Sequence, residues 1–305
     1  MPKRRTNGSR KQWSLPRGRV LRRALRSDPT QEYLVYVPAT AAPGAPVLVA
    51  VHGVSRNAHE QAGVFSTLCD TRGAVLLVPV FTQDQHKDYQ RLGRKGRGLR
   101  VDLLLHRFLS EVASLSGADV TQIRLFGFSG GAQFAHRYVM AHPHRVARAV
   151  VAASGWYTFP DRTQKYPYGI RGNRSLDGVR FVPEDFLQIP IQVIVGDRDL
   201  GSVNLRSNGR VEAQQGANRL ERARRWVAAM RTAAAAYDVT SKVSLTEVAG
   251  VDHSFTEFCG NGALVELVDR ALFGRKRAKL DTVLQTGMKP QDLVADEIAG
   301  AEMSA

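Results

Sequence analysis

A chain of 305 residues with 43% apolar side chains can bury a sizeable core, and no apolar run approaches membrane-spanning length. Two cysteines, Cys69 and Cys259, are too few for a disulfide framework or a Cys-only zinc site, and the first residues lack the continuous apolar segment of a secretory signal; a soluble, cytoplasmic protein is expected. The formal net charge of +15 points first to nucleic acid, but ten of the basic residues lie within positions 1–27, which hold no acid, and four more in Arg275-Lys276-Arg277-Ala278-Lys279, leaving the remainder near neutral.

The chain therefore opens with a basic arm over 1–29. No recognition motif accompanies its charge, so the expectation is a disordered, solubilising segment rather than a nucleic-acid contact. A single α/β domain follows over 30–274, and 275–305 forms a tail in which Asp281 to Leu284 and Gln291 to Ile298 suggest short helices. Within the domain, Glu32-Tyr33-Leu34-Val35-Tyr36-Val37 alternates and is rich in β-formers, predicting an early strand. Val47-Leu48-Val49-Ala50-Val51 is a continuous apolar run, as expected of a strand covered on both faces, and it stops at His52-Gly53-Val54-Ser55. A helix over Ala58 to Asp70, a buried strand over Ala74 to Val78, a polar loop from Phe81 to Gly98 and a helix from Val101 through Val112 come next.

Arg124-Leu125-Phe126-Gly127-Phe128 then runs as a buried strand into Ser129, with helix-forming sequence after it. Arg148 to Ala153 is another short strand. From Ser154 to Pro190 the periodicity breaks down into an irregular aromatic segment, a lid-like insertion over about 155–190. Regular alternation returns with a strand at Ile191 to Val195, a helix from about Asn218 to Tyr237, a strand at Val243 to Val248 and a helix over Ala263 to Leu272. Strands alternating with helices predict a mainly parallel sheet with helices on both faces, in which ligands gather beyond the carboxyl ends of the strands. His52-Gly53, Ser129, Asp199 and His253 all fall at such ends.

Gly127-Phe128-Ser129-Gly130-Gly131 is a Gly-x-Ser-x-Gly pattern between a strand and a helix, the setting of a nucleophile elbow. The tight turn leaves no room for side chains at Gly127 and Gly131, and it pushes the serine out of line with its neighbours. A serine hydroxyl needs a base to take its proton, and the base needs a carboxylate to hold its tautomer. Val195-Gly196-Asp197-Arg198-Asp199 supplies two candidate acids; Asp199, farther into the loop, is favoured, with Asp197 bracing the turn. His253 follows the last strand and is the candidate base, whereas His106, His136, His142 and His144 are read as packing or surface residues. Asp252 is the weaker acid candidate because adjacent side chains in extended chain point apart. An oxyanion would need fixed N–H donors: one from Gly130, the second from Val54, or from Ser55 if the turn is displaced. Trp156, Tyr157 and Phe159, after a strand, are expected to shape a substrate pocket for an apolar acyl or aromatic group, or else to cover the core. The loop from His86 to Arg97 is basic and has two readings, a contact for a carboxylate on the substrate or a solvated loop, of which the second is favoured. The Gly-rich elbow lacks the lysine and spacing of a phosphate loop, so no metal or nucleotide cofactor is implied.

Taken together, Tyr33 to Pro38, Val51-His52-Gly53, the Ser129 elbow, Gly196-Asp197-Arg198-Asp199 and His253 resemble the α/β-hydrolase superfamily. Within it they are similar to the polyhydroxybutyrate depolymerase-like esterases and their feruloyl-esterase relatives, over roughly residues 30 to 273. The resemblance implies the α/β-hydrolase fold and a serine esterase working through an acyl-enzyme, with Ser129 as nucleophile, His253 as base and an acid three residues beyond a glycine, which matches Asp199. A thioesterase or peptidase would use the same three residues, and a non-catalytic fold member holding nucleic acid on its arm is the remaining alternative. Many secreted depolymerases carry a signal peptide, disulfides and a substrate-binding domain. None of these is seen in this sequence, so a soluble or intracellular ester is expected as substrate.

Overall fold

The structure, a computed structural model, describes residues 15–172, 175–202, 205–260 and 263–274. Residues 1–14 and the tail from 275, with its two expected short helices, lie outside the described residues. At the centre of an eight-stranded sheet, β3 (Pro46–Val51) lies against β5 (Asp119–Phe128), with β4 (Val75–Val80) on one side and β6 (Val146–Ala152), β7 (Ile191–Gly196) and β8 (Val243–Val248) in succession on the other. All these neighbours pair in parallel. Two further strands, β1 (Val20–Leu25) and β2 (Asp28–Tyr36), extend the β4 edge and run antiparallel.

β1 corrects the reading of a disordered arm for the residues it covers, Val20–Leu25. Val20, Leu21 and Leu25 are buried while Arg22 is exposed and pairs with Glu32 of β2 at 2.7 Å. A short edge strand carrying charge on its outer positions is a common protection of a sheet edge, and its arginines masked the apolar positions between them.

Alternation along the central strands sends side chains to two separate cores. Val47, Val49 and Val51 face the cluster that contains Phe108, Tyr138 and Trp226, whereas Leu48 and Ala50 face the one that contains Phe65, Phe258 and Leu272. The first is covered by α2 (Val101–Ser116), α3 (Gly130–Ala141) and α6 (Arg219–Ala236), the second by α1 (Ala58–Arg72), α7 (Phe255–Gly260) and α8 (Ala263–Phe273). The helix limits follow local chemistry. Asn57 and Asn218 cap α1 and α6 by accepting the Glu60 and Glu221 N–H groups, and Gly73 and Gly117 end α1 and α2 in the left-handed conformation.

Among the described residues between β6 and β7 the chain is irregular apart from a one-turn helix, α4 (Pro183–Phe186), and it is followed across β7 by a short α5 (Gly209–Gln215). This segment is anchored rather than perched. Tyr157 exchanges two hydrogen bonds with Gln215, Thr158 N–H donates to His136 Nε2, and the Trp226 indole donates to Thr158 O at 2.8 Å. Arg137 Nη1 adds bonds to the Gln90 and Gln133 carbonyls, and its Nε donates to Thr158 Oγ1, tying the 81–98 loop, α3 and this segment together.

Candidate active site

β5 delivers Ser129 to the sheet edge. It sits at φ 53°, ψ −108°, a left-handed conformation that a serine adopts only under constraint, and its N–H is held by Ala152 O at 2.8 Å. The flanking glycines are steric requirements. A Cβ on Gly127 would stand 2.2 Å from Gly131 O, and one on Gly131 would stand 1.9 Å from Val51 O. The elbow is thus pressed into the end of β3.

β7 and β8 bring the other two groups. Ser129 Oγ lies 3.0 Å from His253 Nε2, and His253 Nδ1 lies 2.9 Å from Asp199 Oδ2. With Nδ1–H donating to the carboxylate, Nε2 is the free acceptor that can take the serine proton. The imidazole stacks on Phe128, ring centres 5.4 Å apart at 20°, which limits its tilt. Asp199 is fully buried, whereas Asp197 is exposed and accepts the Gly250 N–H at 2.8 Å. Of the two acids left open by the sequence, the structure therefore brings Asp199 to the histidine and leaves Asp197 bracing the β7–β8 ends. Asp252 accepts the His253 backbone N–H instead of facing its ring.

One residue of this cluster has no motif to mark it. Arg219, the first residue of α6, donates from Nη1 to Asp199 Oδ1 at 3.0 Å, and both side chains are buried. A cation at a helix N-terminus opposes the helix dipole, so its position there is a signal the sequence does contain. Its partner, twenty residues earlier in the chain, becomes apparent only in the fold.

Gly130 opens α3, so its N–H has no acceptor within the helix. A Cβ at Gly130 would meet the Tyr89 hydroxyl at 2.3 Å, Gln90 Nε2 at 3.1 Å and Val54 Cγ1 at 3.1 Å. Gly130 and Val54, the two expected oxyanion donors, are thus neighbours, with Tyr89 and Gln90 completing the rim. His52 holds the Val54 turn from beneath: Nε2 accepts the Phe81 N–H at 3.1 Å and Nδ1–H donates to Gly53 O at 2.9 Å. Burial lowers its pKa from 6.5 to about 4, keeping it neutral.

The expectation that Trp156, Tyr157 and Phe159 line a pocket is corrected. All three are buried, and Tyr157 and Phe159 belong to the main core, Tyr157 stacking on Trp226 with ring centres 4.8 Å apart. Trp156 is enclosed by the Arg137 and Arg206 guanidinium groups, 4.4 Å and 5.3 Å from its ring centre. Aromatic residues in an irregular segment here serve as the lining of the core beneath it. Cys69 is buried and Cys259 half-buried, both free, with burial pushing the Cys259 thiol up to about 12. Among the described residues, no three His, Cys, Asp or Glu side chains converge as a metal site requires, and no helix is long and apolar enough to cross a membrane.

No family model matches the sequence, and neither does any curated relative. Solved structures do. The poly(3-hydroxybutyrate) depolymerase of Bordetella parapertussis is 26% identical with a TM-score of 0.66, the match covering 81% of this chain and 85% of that one. Poly(aspartic acid) hydrolase-1 of Sphingomonas sp. KT-1 is 23% identical with a TM-score of 0.67, covering 78% and 93%. A ferulic acid esterase shares 16% identity and a TM-score of 0.52 over 79% and 92%. The parallel sheet, the elbow and these structural likenesses together identify the α/β-hydrolase fold, in a chain similar to that superfamily's serine ester hydrolases.

Proposed function

We propose that Ser129, His253 and Asp199 form a catalytic triad that hydrolyses carboxylic esters through an acyl-enzyme, with Gly130 and Val54 supplying the oxyanion donors. The observation that carries the proposal is the continuous hydrogen-bond chain from Ser129 Oγ through His253 to Asp199. In the forward step Ser129 Oγ bonds to the ester carbonyl carbon while its proton passes to His253 Nε2. The carbonyl oxygen becomes an oxyanion facing the two backbone donors. Collapse breaks the bond to the alcohol oxygen, which leaves with the proton from His253. Water then repeats the sequence: His253 takes its proton, the hydroxide portion adds to the acyl carbon, and Ser129 departs reprotonated as the acid is released. Asp199 stays ionised throughout, holding the Nδ1–H tautomer and facing the imidazolium.

The likeness to the Bordetella depolymerase supports a short hydroxyacyl or related soluble ester as the substrate class. Labelling by a fluorophosphonate probe tests the reaction type: wild-type protein is labelled and Ser129→Ala is not, whereas unlabelled, folded wild-type protein would refute the triad. A panel of p-nitrophenyl esters of increasing acyl length, hydroxybutyrate oligomers and feruloyl esters, with a matched thioester and amide, tests the bond and the acyl preference. Faster turnover of the thioester or amide than of every ester would overturn the ester assignment.

A further inference from the structure

Next to Gly130 the surface opens into a depression of about 520 Å³. Val54, Tyr89 and Gln90 line it, and these are the same three residues that surround Gly130, so the depression begins at the proposed oxyanion donors. Its lining is cationic: Arg56 and Lys87 belong to it, and among the described residues no acidic side chain does. Arg56 is held in place by neutral acceptors, the Gln83 side-chain oxygen and the Phe81 and Thr82 carbonyls, and its guanidinium stands 5.1 Å from the Tyr89 ring centre. The Tyr89 ring thus carries that charge over it while its hydroxyl reaches Gly130.

Lys87 also lines an adjoining depression of about 420 Å³, where Arg91, Arg94 and Arg97 join it against Asp84 and Asp88. Asp88 is buried and committed, its carboxylate oxygens holding Arg91 at 2.6 Å and Arg94 at 2.9 Å. Asp84 offsets part of the Arg56 charge, and the surplus positive charge is carried by Arg56 together with Lys87 and Arg97. A chain that is near neutral outside its basic ends has concentrated cations beside its proposed reaction centre. Charge lining a cleft raises the local concentration of an oppositely charged ligand, and an arginine or lysine positions a carboxylate by charge-assisted hydrogen bonds.

We propose that this depression binds a carboxylate, so that the preferred substrate is an ester carrying a second, free carboxylate a few carbons from the scissile bond. The proposal rests on the ester-hydrolase reading above. Arg56 and Lys87 act on binding and specificity, and they take no part in the proton transfers at Ser129.

Two matched pairs of esters test it: 4-nitrophenyl hemiglutarate against 4-nitrophenyl valerate places the carboxylate on the acyl side, and 4-(butyryloxy)butanoate against butyl butyrate places it on the alcohol side. In at least one pair kcat/KM should favour the carboxylate member by about tenfold, the scale of one charge-assisted hydrogen bond. Lys87→Met and Arg56→Gln should each bring that ratio toward one, chiefly through KM, and added salt should lower it in the wild type. Glutarate at constant ionic strength should slow hydrolysis of the neutral member of the favoured pair more than inorganic phosphate does. Ratios at or below one in both pairs, ratios unmoved by both substitutions, or equal inhibition by glutarate and phosphate would overturn the assignment. A wild-type protein inactive on all four esters removes the hydrolase reading itself, and this proposal with it.

Discussion

The Arg219 guanidinium and the Asp199 carboxylate form a buried ion pair at 3.0 Å, leaving the other carboxylate oxygen to His253. A carboxylate withdrawn from water needs its lone pairs satisfied, and a partner on one oxygen fixes which way the other points. Arg219 is therefore a positioning residue for the proposed triad. Arg219→Gln is expected to lower kcat about tenfold or more with KM little changed, since the side chain is shut away from any substrate, and to cost about 3–5 kcal/mol in urea unfolding as an unpaired buried charge. Arg219→Lys should recover part of the kcat. A variant with full kcat despite lost stability would confine Arg219 to a structural role.

The two aspartates after β7 give a second comparison. Asp199→Asn would present an amide to His253 Nδ1 and favour the wrong tautomer, so kcat should fall by about four orders of magnitude. Asp197→Asn keeps an acceptor for Gly250 N–H and should stay within a few-fold of wild type, with stability reduced by about 1 kcal/mol or less. Steady-state kinetics on both variants decide it, and the reverse order of effects would exchange their roles.

These residues also show how far the sequence carries. Ser129 and Asp199 were legible because each follows an apolar run that becomes a buried strand, and His253 because it follows the alternating β8, only one residue of which is buried; parallel strands gather their carboxyl ends at one edge. Arg219 was not, since its link to Asp199 depends on how α6 returns against β7. β1 was hidden by composition: four apolar or small residues shared a six-residue strand with two arginines inside a strongly basic stretch. Tyr157 and Phe159 were ambiguous because the same ring that lines a pocket can seal a core, and only burial separates the two outcomes.

The crowding at Gly130 predicts a compensating pair. A Cβ there would stand 2.3 Å from the Tyr89 hydroxyl, while Gly130 itself lies outside the left-handed region, so an alanine is opposed by a neighbour rather than by its own backbone. Gly130→Ala should lower kcat about tenfold to a hundredfold by displacing the oxyanion turn. Tyr89→Phe removes the colliding oxygen, and the double variant should recover a substantial part of that loss. Additive losses in the double variant, read by kcat in a double-mutant cycle, would show that the hydroxyl is not the obstacle.

Three buried imidazoles predict how the protein meets acid. His52 accepts the Phe81 N–H, His86 accepts the Thr82 N–H and His136 accepts the Thr158 N–H, each through a ring nitrogen that cannot accept once protonated. Burial lowers His52 and His86 from 6.5 to about 4 and His136 well below 6.5. With folded values depressed, the folded chain stays neutral at these rings while the unfolded chain takes up protons as pH drops below about 6.5. Their contribution to stability is thus complete above pH 6.5 and declines as pH falls from there toward 4, with loss at His136 continuing lower. Urea midpoints should fall steadily across that window, and His136→Gln, whose side chain oxygen can accept from Thr158 without titrating, should show a shallower decline. Midpoints that stay flat between pH 6.5 and 4.5 would mean that these rings take up protons in the fold as readily as in the unfolded chain, and the three N–H···N bonds holding the Val54 turn, the 81–98 loop and the segment after β6 would have to be reassigned.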